Sequence, residues 1–314
     1  AEDPSSIENL LAHFRHHCYV ILRIDTPDIE HFTYNSNISH NLIKHGVTTN
    51  FLNKVQEMFQ KSSQIFALDE SSKSKLAVSN FNASLTKFAD IGYKHIPDIK
   101  ESYMVRIPAD ENTQLPWPPI EGFQQTTREF YNTMNSIGAV ILKCVALALK
   151  ASPQALYDLM DPPTLPTGQY SSNTIRMFNY FNKPNTDLPA KDHNDLGLLT
   201  IIPKSTIPGL EVLSMCEDCV YGWVNPEMKQ QATDLVILAG ETLSAACGGN
   251  FMAGIHRVVH NENYYGQSRI SLPFLMKPYN EATLKDITKD APGMLVKEFM
   301  TKEMSRRESI NNLY

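Results

Sequence analysis

The sequence predicts an α+β protein whose second half folds as a double-sheet jelly roll or barrel. Two observations lead to this prediction. Between residues 174 and 278, short runs rich in β-branched and aromatic residues alternate with turns of Gly, Pro, Asn and Asp. In the first half, apolar residues recur at steps of three and four, which is the spacing of amphipathic helices. The chain is therefore expected to change from mostly helical to mostly strand near residue 165.

The elements of the first half follow from this spacing in chain order. A helix over residues 7–17 leads into a short strand at 18–24. Residues 41–66 form one long helix or two helices broken near Gly46, and an irregular segment with a strand at 102–107 follows. The strongest amphipathic pattern predicts a long helix over residues 122–150, packed against a sheet.

The second half supplies the strands and a last helix. Strands are predicted at residues 174–181, 196–202, 209–213, 235–238, 244–246, 256–260 and 268–274, with a helix near 295–306. The predicted organisation is a helical or mixed N-terminal region of residues 1–165, a β core of 166–280 and a C-terminal helical segment of 281–314.

Composition excludes several classes of protein. Of the 314 residues, 42% are hydrophobic and 20% are charged, as in folded globular proteins rather than disordered ones. The longest apolar run, residues 139–149, is interrupted by Lys143 and is too short to span a bilayer. The net charge is −6 and no cluster of Lys or Arg forms a stripe, so neither a membrane nor nucleic acid is expected as a partner. Nothing in the sequence specifies an oligomeric state.

The cysteines predict a reducing compartment, and we expect a cytoplasmic protein. Five cysteines are spread over a chain too large to need disulfides. The N-terminal Ala-Glu-Asp-Pro-Ser-Ser has neither the basic nor the apolar region of a signal peptide. Cys216-Glu-Asp-Cys219 is a lone C-x-x-C without a second pair, so we interpret it as a loop between barrel strands.

A candidate metal site is built from two distant parts of the sequence. His193-Asn-Asp195 stands at the start of an apolar strand, where residues two apart point to the same face. His256 follows 61 positions after Asp195. Two histidines and one carboxylate suit non-haem Fe(II), because three protein ligands leave open positions for reactants. Zinc would accept the same three ligands.

His260 looks like a further ligand because it follows His256 at i+4. Residues 255–259 are β-like, and four residues of strand separate the two histidines by about 13 Å. Only one of them can reach a common cation, and His256 is the predicted ligand.

Five motifs in the second half carry a family resemblance. They are Arg176-Met-Phe-Asn-Tyr180-Phe, His193-Asn-Asp195 with the following Leu-Gly-Leu-Leu-Thr, Gly240-Glu-Thr, Gly-Ile-His256-Arg-Val and Arg269-Ile-Ser271-Leu-Pro-Phe. In order and spacing, these motifs resemble the isopenicillin N synthase-like family of Fe(II) oxygenases, most of which use 2-oxoglutarate. The first half is similar as well, from the Tyr-Val-Ile-Leu strand to Gly92-Tyr93 and Trp117-Pro. The resemblance covers nearly the whole chain.

The resemblance implies a distorted double-stranded β-helix core and a set of site residues. His193, Asp195 and His256 would bind Fe(II). Arg269 and Ser271 would hold the distal carboxylate of 2-oxoglutarate, since a guanidinium fork and a nearby hydroxyl suit a carboxylate. Tyr180 matches a family tyrosine that touches the cosubstrate or the substrate. The implied cofactors are Fe(II), the cosubstrate 2-oxoglutarate and O2, with ascorbate as a candidate stimulant.

The implied activity is a dioxygenase that oxidises a C–H bond of a small molecule in specialised metabolism. Hydroxylation, desaturation and oxidative cyclisation, such as that of kainoid synthases, all stay open. Because Asp195 retains the carboxylate ligand, halogenation is disfavoured. One alternative is an Fe(II) oxidase of the same family that needs no 2-oxoglutarate and binds a substrate carboxylate with Arg269 and Ser271. Another is a non-catalytic small-molecule-binding protein.

The substrate pocket is the least specified part of the prediction. Four aromatic side chains are candidates for its lining: Phe178, Tyr93, Phe251 and Phe274. Phe178 stands where the family often has a polar residue. Lys191 or Arg106 could pair with an acidic substrate.

Overall fold

The computed structural model describes residues 4–24, 51–77, 91–110, 115–184, 186–215 and 220–311. Its helices are α1 (Pro4–His17), α2 (Phe51–Phe66), α3 (Glu70–Lys75), α4 (Phe123–Ala148), α5 (Gln154–Tyr157), α6 (Glu241–Ala246) and α7 (Val296–Asn311). Helices α1, α4 and α7 lie where the sequence predicts them. Of the helix predicted over residues 41–66, the part before residue 51 lies outside the described residues.

The strands form two main antiparallel sheets. They are β1 (Tyr19–Arg23), β2 (Gly92–Ile96), β3 (Lys100–Val105), β4 (Thr174–Phe181), β5 (Ala190–His193), β6 (Leu199–Pro203), β7 (Leu210–Met215), β8 (Tyr221–Val224), β9 (Asp234–Ala239), β10 (His256–Val258), β11 (Ser268–Ser271) and β12 (Phe274–Met276), with a separate pair β13 (Thr283–Leu284) and β14 (Met294–Leu295).

The larger sheet has the order β1-β9-β6-β12-β4-β3-β2, with β11 also paired to β4. The smaller sheet has the order β5-β10-β7-β8. Strands of both sheets line one cavity. This arrangement confirms the predicted α+β class with a jelly-roll core. Three strands from the first half, β1, β2 and β3, extend the larger sheet by hydrogen bonding, so the N-terminal region and the β core share a sheet.

Helix α4 packs on the larger sheet through the face that the sequence pattern predicts. Phe130, Met134, Ile137 and Ile141 are buried on this face. The approach to the sheet is close at Gly138, where an added Cβ would lie 2.7 Å from Met276 Sδ. Helix α4 is also long and apolar enough to span a bilayer, but 61% of its most apolar 18-residue stretch is buried inside the protein. Such burial is typical of the core helix of a globular domain.

One predicted strand is wrong. Residues 244–246 are expected to be extended, yet they form the last turn of helix α6. The helix begins after Gly240, whose N–H donates to the Leu198 carbonyl at 2.9 Å, and the Thr242 N–H and hydroxyl donate to carbonyls of the loop 195–197. These tertiary bonds satisfy the orphan donors at the helix start, which the sequence pattern does not reveal. The segment expected to be irregular also contains α3 and β2.

Candidate active site

The three predicted metal ligands converge at one end of the smaller sheet. His193 ends β5 and His256 begins β10, and the two residues are paired in the strand register. Their ring centroids lie 4.3 Å apart. Asp195 follows two residues after His193 and brings its Oδ2 to 3.9 Å from His256 Nε2. One ligand atom from each of the three residues lies within 4.8 Å of the others.

Both imidazoles are oriented by backbone carbonyls. His193 Nδ1 lies 2.7 Å from the Lys191 carbonyl, and His256 Nδ1 lies 3.0 Å from the Gly254 carbonyl. Because a carbonyl only accepts, each Nδ1 carries the proton and each Nε2 presents a lone pair. Burial, together with the neighbouring His256, lowers the pKa of His193, which favours the neutral form that binds a metal.

Asp195 is held as a carboxylate. Burial alone would raise its pKa, but the His256 and His193 rings, a hydrogen bond from the Thr200 hydroxyl and the charge of Arg176 outweigh burial and hold the pKa below the usual range. Its backbone carbonyl accepts the Glu241 N–H at 2.9 Å, which ties the loop to helix α6. An ionised oxygen is therefore available beside the two Nε2 lone pairs.

This donor set fits a divalent transition metal. Two neutral imidazoles and one carboxylate, grouped on one side of a cavity, form the facial arrangement of non-haem Fe(II) sites. His260 is not in the group: its Nε2 lies 2.9 Å from the Thr186 hydroxyl and 3.1 Å from the Asp187 carbonyl.

Arg269 and Ser271 lie on β11, directly opposite β4. In the strand register Arg269 is paired with Tyr180 and Ser271 with Phe178. The Arg269 guanidinium lies 5.3 Å from the centre of the Tyr180 ring. All four of these residues line the same cavity as the triad. The structure thus brings the two halves of the sequence prediction into one site.

Most of the Arg269 guanidinium is committed to the protein itself. Nε donates to the Ile207 carbonyl at 2.9 Å, while Nη2 donates to the Ser205 hydroxyl at 2.8 Å and to Glu227 at 3.0 Å. Nη1 is buried and has no hydrogen-bond partner among the residues that the structure describes. The expected two-pronged guanidinium fork is corrected accordingly. Within the described part of the chain, Nη1 is the one guanidinium nitrogen left for a ligand, with the Ser271 hydroxyl on the same strand.

Glu227 is a site residue that sequence reasoning missed. It lies in a single 3-10 turn, Pro226–Met228, is 1% exposed, and accepts the N–H groups of Gly209 and Leu210 at 2.7 and 2.8 Å. Burial by itself would raise its pKa, but Arg269, Ser205 and these two amides lower it below the usual range. Glu227 thus neutralises and orients Arg269. The sequence around Pro226-Glu-Met contains no motif that indicates this role, because Glu227 and its partner Arg269 are 42 residues apart along the chain.

The cavity has a volume of about 250 Å³. Tyr180 forms part of its wall, and burial raises the pKa of its hydroxyl to about 12, so the hydroxyl stays protonated. Phe178 stacks on Tyr180 with ring centroids 5.2 Å apart and also lines the cavity. Its assignment to the substrate pocket stays a prediction. Two further cations, Lys100 and Arg176, line it as well, and Arg176 begins one of the five family motifs.

Three aromatic residues predicted to line the pocket lie elsewhere, and their assignment is corrected to core packing. Tyr93 is buried and donates to Glu101 at 2.7 Å. Phe251 stacks on Phe14, and Phe274 packs edge-on against Tyr131. Tyr93 and Phe274 lie on strands, where side chains alternate between two faces, and Phe251 lies in the loop after helix α6. Composition alone does not show which of these aromatic side chains face the cavity.

The two residues predicted to pair with an acidic substrate, Lys191 and Arg106, lie in different places. Lys191 lines the cavity, whereas Arg106 donates through Nε to the Ser171 carbonyl and lies outside it. The Cys216-Glu-Asp-Cys219 motif lies outside the described residues.

Comparison with known proteins finds relatives of one kind, although no family model matches the chain. The 2-oxoglutarate-dependent dioxygenase ecdK of Aspergillus rugulosus is 24% identical over 245 residues, which is 72% of each chain. The 2-oxoglutarate-dependent dioxygenase ucsF of Acremonium sp. is 25% identical over 274 residues, covering 77% of this chain and 79% of that protein. Among solved structures, a Neurospora crassa protein in complex with alpha-KG and 5-formyluracil has a TM-score of 0.72 at 18% identity, covering 96% of this chain and 89% of that one. The structural likeness shows a shared fold.

Proposed function

We propose that this chain, which belongs to the Fe(II)- and 2-oxoglutarate-dependent dioxygenases, oxidises a C–H bond of a small molecule in specialised metabolism. One observation carries the proposal. A single cavity holds a triad of two histidines and one carboxylate, together with the buried Arg269, whose Nη1 has no hydrogen-bond partner in the described ranges. The relatives ecdK and ucsF, both named 2-oxoglutarate-dependent dioxygenases, support this interpretation.

Iron would be held by His193, Asp195 and His256. Their unprotonated Nε2 atoms and ionised carboxylate match the ligand preference of Fe(II), and the grouping on one side leaves positions for reactants. When bound, the metal supplies the activation of O2. The protein's own part is to fix the ligands, through the Lys191 and Gly254 carbonyls and the Thr200 hydroxyl.

The distal carboxylate of 2-oxoglutarate would be bound by Arg269 Nη1 and the Ser271 hydroxyl. A buried N–H donor that makes no hydrogen bond destabilises the folded protein, and the carboxylate of 2-oxoglutarate would supply Nη1 with an acceptor. Tyr180 would form the adjacent wall of the cavity. A cytoplasmic setting, expected from the cysteines, stays a prediction, as does the choice among hydroxylation, desaturation and oxidative cyclisation.

An anaerobic titration tests the proposal without knowledge of the substrate. Fe(II) is added to the metal-free protein, followed by 2-oxoglutarate, and the visible metal-to-ligand charge-transfer band of the chelate is recorded. We expect a saturable band in the wild type and in His260→Ala, and no band in His256→Ala. Arg269→Gln should keep its iron and require about tenfold or more 2-oxoglutarate, because a charged hydrogen bond is lost.

The other outcomes identify the alternatives. Bound iron without any band, at saturating 2-oxoglutarate, would contradict the proposal and favour an oxidase that binds its substrate carboxylate at Arg269. Absence of iron binding in the wild type would contradict both and favour a non-catalytic binding protein.

A further inference from the structure

Three histidines lie close together in the last turns of helix α1, away from the cavity described above. His17 is the final residue of the helix, His13 lies about one turn before it, and His16 lies between them. His13 and His16 are exposed, and His17 is half-buried. Because residues four apart on a helix are neighbours on its surface, His13 and His17 share one face of α1.

The His13 and His17 rings have the separation of a chelating pair. Their centroids lie 5.5 Å apart. An ion bound at about 2.1 Å by one nitrogen of each ring, with an angle of about 90–120° at the metal, places the centroids about 4.5–5.5 Å apart. By the same measure, His193 and His256 of the triad lie 4.3 Å apart. The His16 and His17 rings are 6.4 Å apart, which is beyond this range.

His17 is held in place by the neighbouring sheet. Its Nδ1 lies 3.1 Å from the hydroxyl of Ser214 on β7. With Nδ1 engaged, Nε2 is the ligand atom that His17 offers, and the hydroxyl fixes the orientation of the ring. Burial, His13 and His16 lower the pKa of His17 more than a hydrogen bond to the Met215 backbone raises it. The neutral ring, which is the form that binds a metal, is therefore favoured.

The end of helix α1 also favours a cation. The last carbonyl groups of a helix carry partial negative charge, and this effect is strongest in the last turn. His17 belongs to that turn. The cation already in the same turn, Arg15, donates through Nη2 to Asn250 at 3.0 Å. An ion on the face of His13 and His17 would be stabilised by the helix end.

We propose that His13 and His17 form a second metal site, on the surface of the protein, for a late first-row divalent cation such as Ni(II), Cu(II) or Zn(II). Imidazole nitrogen suits these ions, and they bind a given site more tightly than Mn(II) or Fe(II) does. Water would fill the other coordination positions. The inference is independent of the proposed function, because neither histidine is among the described residues that line the cavity.

The test first removes the triad as a competing site. In a His193→Ala/His256→Ala double variant, Asp195 is the triad ligand that is left. Ni(II) is titrated into this metal-free protein near neutral pH and followed by calorimetry. We expect one ion per chain whose binding becomes about tenfold or more weaker when His13→Ala or His17→Ala is added, because a chelating pair is reduced to a single ligand.

His16→Ala is the matched control. It removes an exposed imidazole from the same part of the helix but leaves the chelating pair intact. The Ni(II) affinity should stay as in the double variant. Electron paramagnetic resonance of bound Cu(II) gives a second readout, since it counts the coordinated imidazoles. We expect two imidazoles in the double variant and in the His16→Ala control, and one after His13→Ala.

The same comparison works in the wild-type background should the double variant fail to fold. There the wild type should bind one more Ni(II) per chain than His13→Ala does.

Three results would overturn the inference. Unchanged Ni(II) affinity in both His13→Ala and His17→Ala would show that the ion binds elsewhere. An equal loss of affinity in His16→Ala would show that the cluster has no chelating pair. A single imidazole in the Cu(II) spectrum before His13 is replaced would exclude the chelate directly. None of these results bears on the proposed function, because the charge-transfer band of the wild type reports on the triad alone.

Discussion

The way Arg269 is held determines what the cavity can bind. A buried arginine with three protein acceptors has little rotational freedom, so Nη1 is aimed before any ligand arrives. The acceptor that matters most is Glu227, because removing one partner of a buried ion pair leaves an uncompensated charge. Pre-organisation of this kind raises affinity by reducing the ordering that binding requires.

Glu227→Gln should lower the free energy of unfolding at pH 7 by about 3 kcal/mol and weaken 2-oxoglutarate binding. The pKa of Glu227 is lowered in the folded protein, so its stabilisation is present above the unfolded pKa of about 4.3 and is lost as the pH falls through the folded value. The difference in the free energy of unfolding between the wild type and Glu227→Gln should therefore become smaller below about pH 4. Urea unfolding at pH 7 and at about pH 3.5 measures it.

The control for this variant is Glu211→Gln. Glu211 pairs with Arg257 at 2.7 Å, but the carboxylate side chain is 23% exposed. A partly solvated pair contributes less than about 1 kcal/mol, so the control should change stability little at either pH. Equal losses in both variants would contradict a special role for Glu227.

The two nearby histidines of the HRVVH segment should behave differently towards metal. His256→Ala should abolish Fe(II) binding, because only two of the three protein ligands, His193 and Asp195, are left in that variant. His260→Ala should retain Fe(II), because His260 is not part of this group. Iron per chain is measured after anaerobic desalting. Retention of iron in His256→Ala with its loss in His260→Ala would show that the ligand assignment is wrong.

At the scale of elements, helix α6 fixes the loop that carries Asp195. Four donors at its start, three backbone N–H groups and the Thr242 hydroxyl, bind carbonyls of residues 195–198. Farther along the chain, Arg307 of α7 donates to Asn194, and Asn194 donates to Glu241. The C-terminal helix therefore supports the metal ligand from outside the sheet.

Gly240 makes this contact possible. An added Cβ would overlap the Gly197 carbonyl oxygen and would lie 3.1 Å from that of Asp195, both of them backbone atoms. We expect Gly240→Ala to destabilise the protein by about 2 kcal/mol or more and to weaken Fe(II) binding, since the loop must move. Thermal unfolding and iron titration measure the two effects.

Gly266→Ala is the matched control for backbone strain. Gly266 has a φ of +83° but open space around it. The substitution should cost about 1 kcal/mol through conformation alone and leave iron affinity unchanged. A weaker iron affinity in this control would mean that general destabilisation, rather than the loop contact, governs the metal site.

At the scale of the whole molecule, metal binding should stabilise the fold, because β5, β10 and the loop after β5 supply the three ligands only when folded. At a free metal concentration about 100 times the dissociation constant, the gain is about 2.7 kcal/mol, which raises Tm by about 5 °C. Mn(II) under air can stand in for Fe(II), and differential scanning calorimetry measures the shift.

Asp195→Ala should show no such increase in Tm, and His260→Ala should show the full increase. If Asp195→Ala were stabilised as much as the wild type, the metal would be binding elsewhere on the molecule.

Much of the architecture could be predicted because the helices and strands follow from the spacing of apolar residues close together in the sequence. The apolar spacing of residues 122–150 specifies a core helix, and β4 has the predicted bounds. The failures come from long-range contacts. Residues 244–246 have a sequence typical of a strand, yet hydrogen bonds from the start of their helix to the loop 195–197 make them helical. Three aromatic side chains predicted to line the pocket are buried in the core instead, because their neighbours in space determine which way they face: Tyr93, Phe251 and Phe274.

The sequence by itself determined the class of chemistry, because the ligand residues, their order and the R-x-S pair depend on side-chain type and spacing along the chain. Only the tertiary structure decided that Glu227 neutralises Arg269, that Nη1 is the guanidinium nitrogen left for a ligand within the described residues, and that Lys100 and Arg176 share the cavity. The reason is physical. Charge balance and burial are properties of neighbours in space, and these neighbours lie tens of residues apart along the chain.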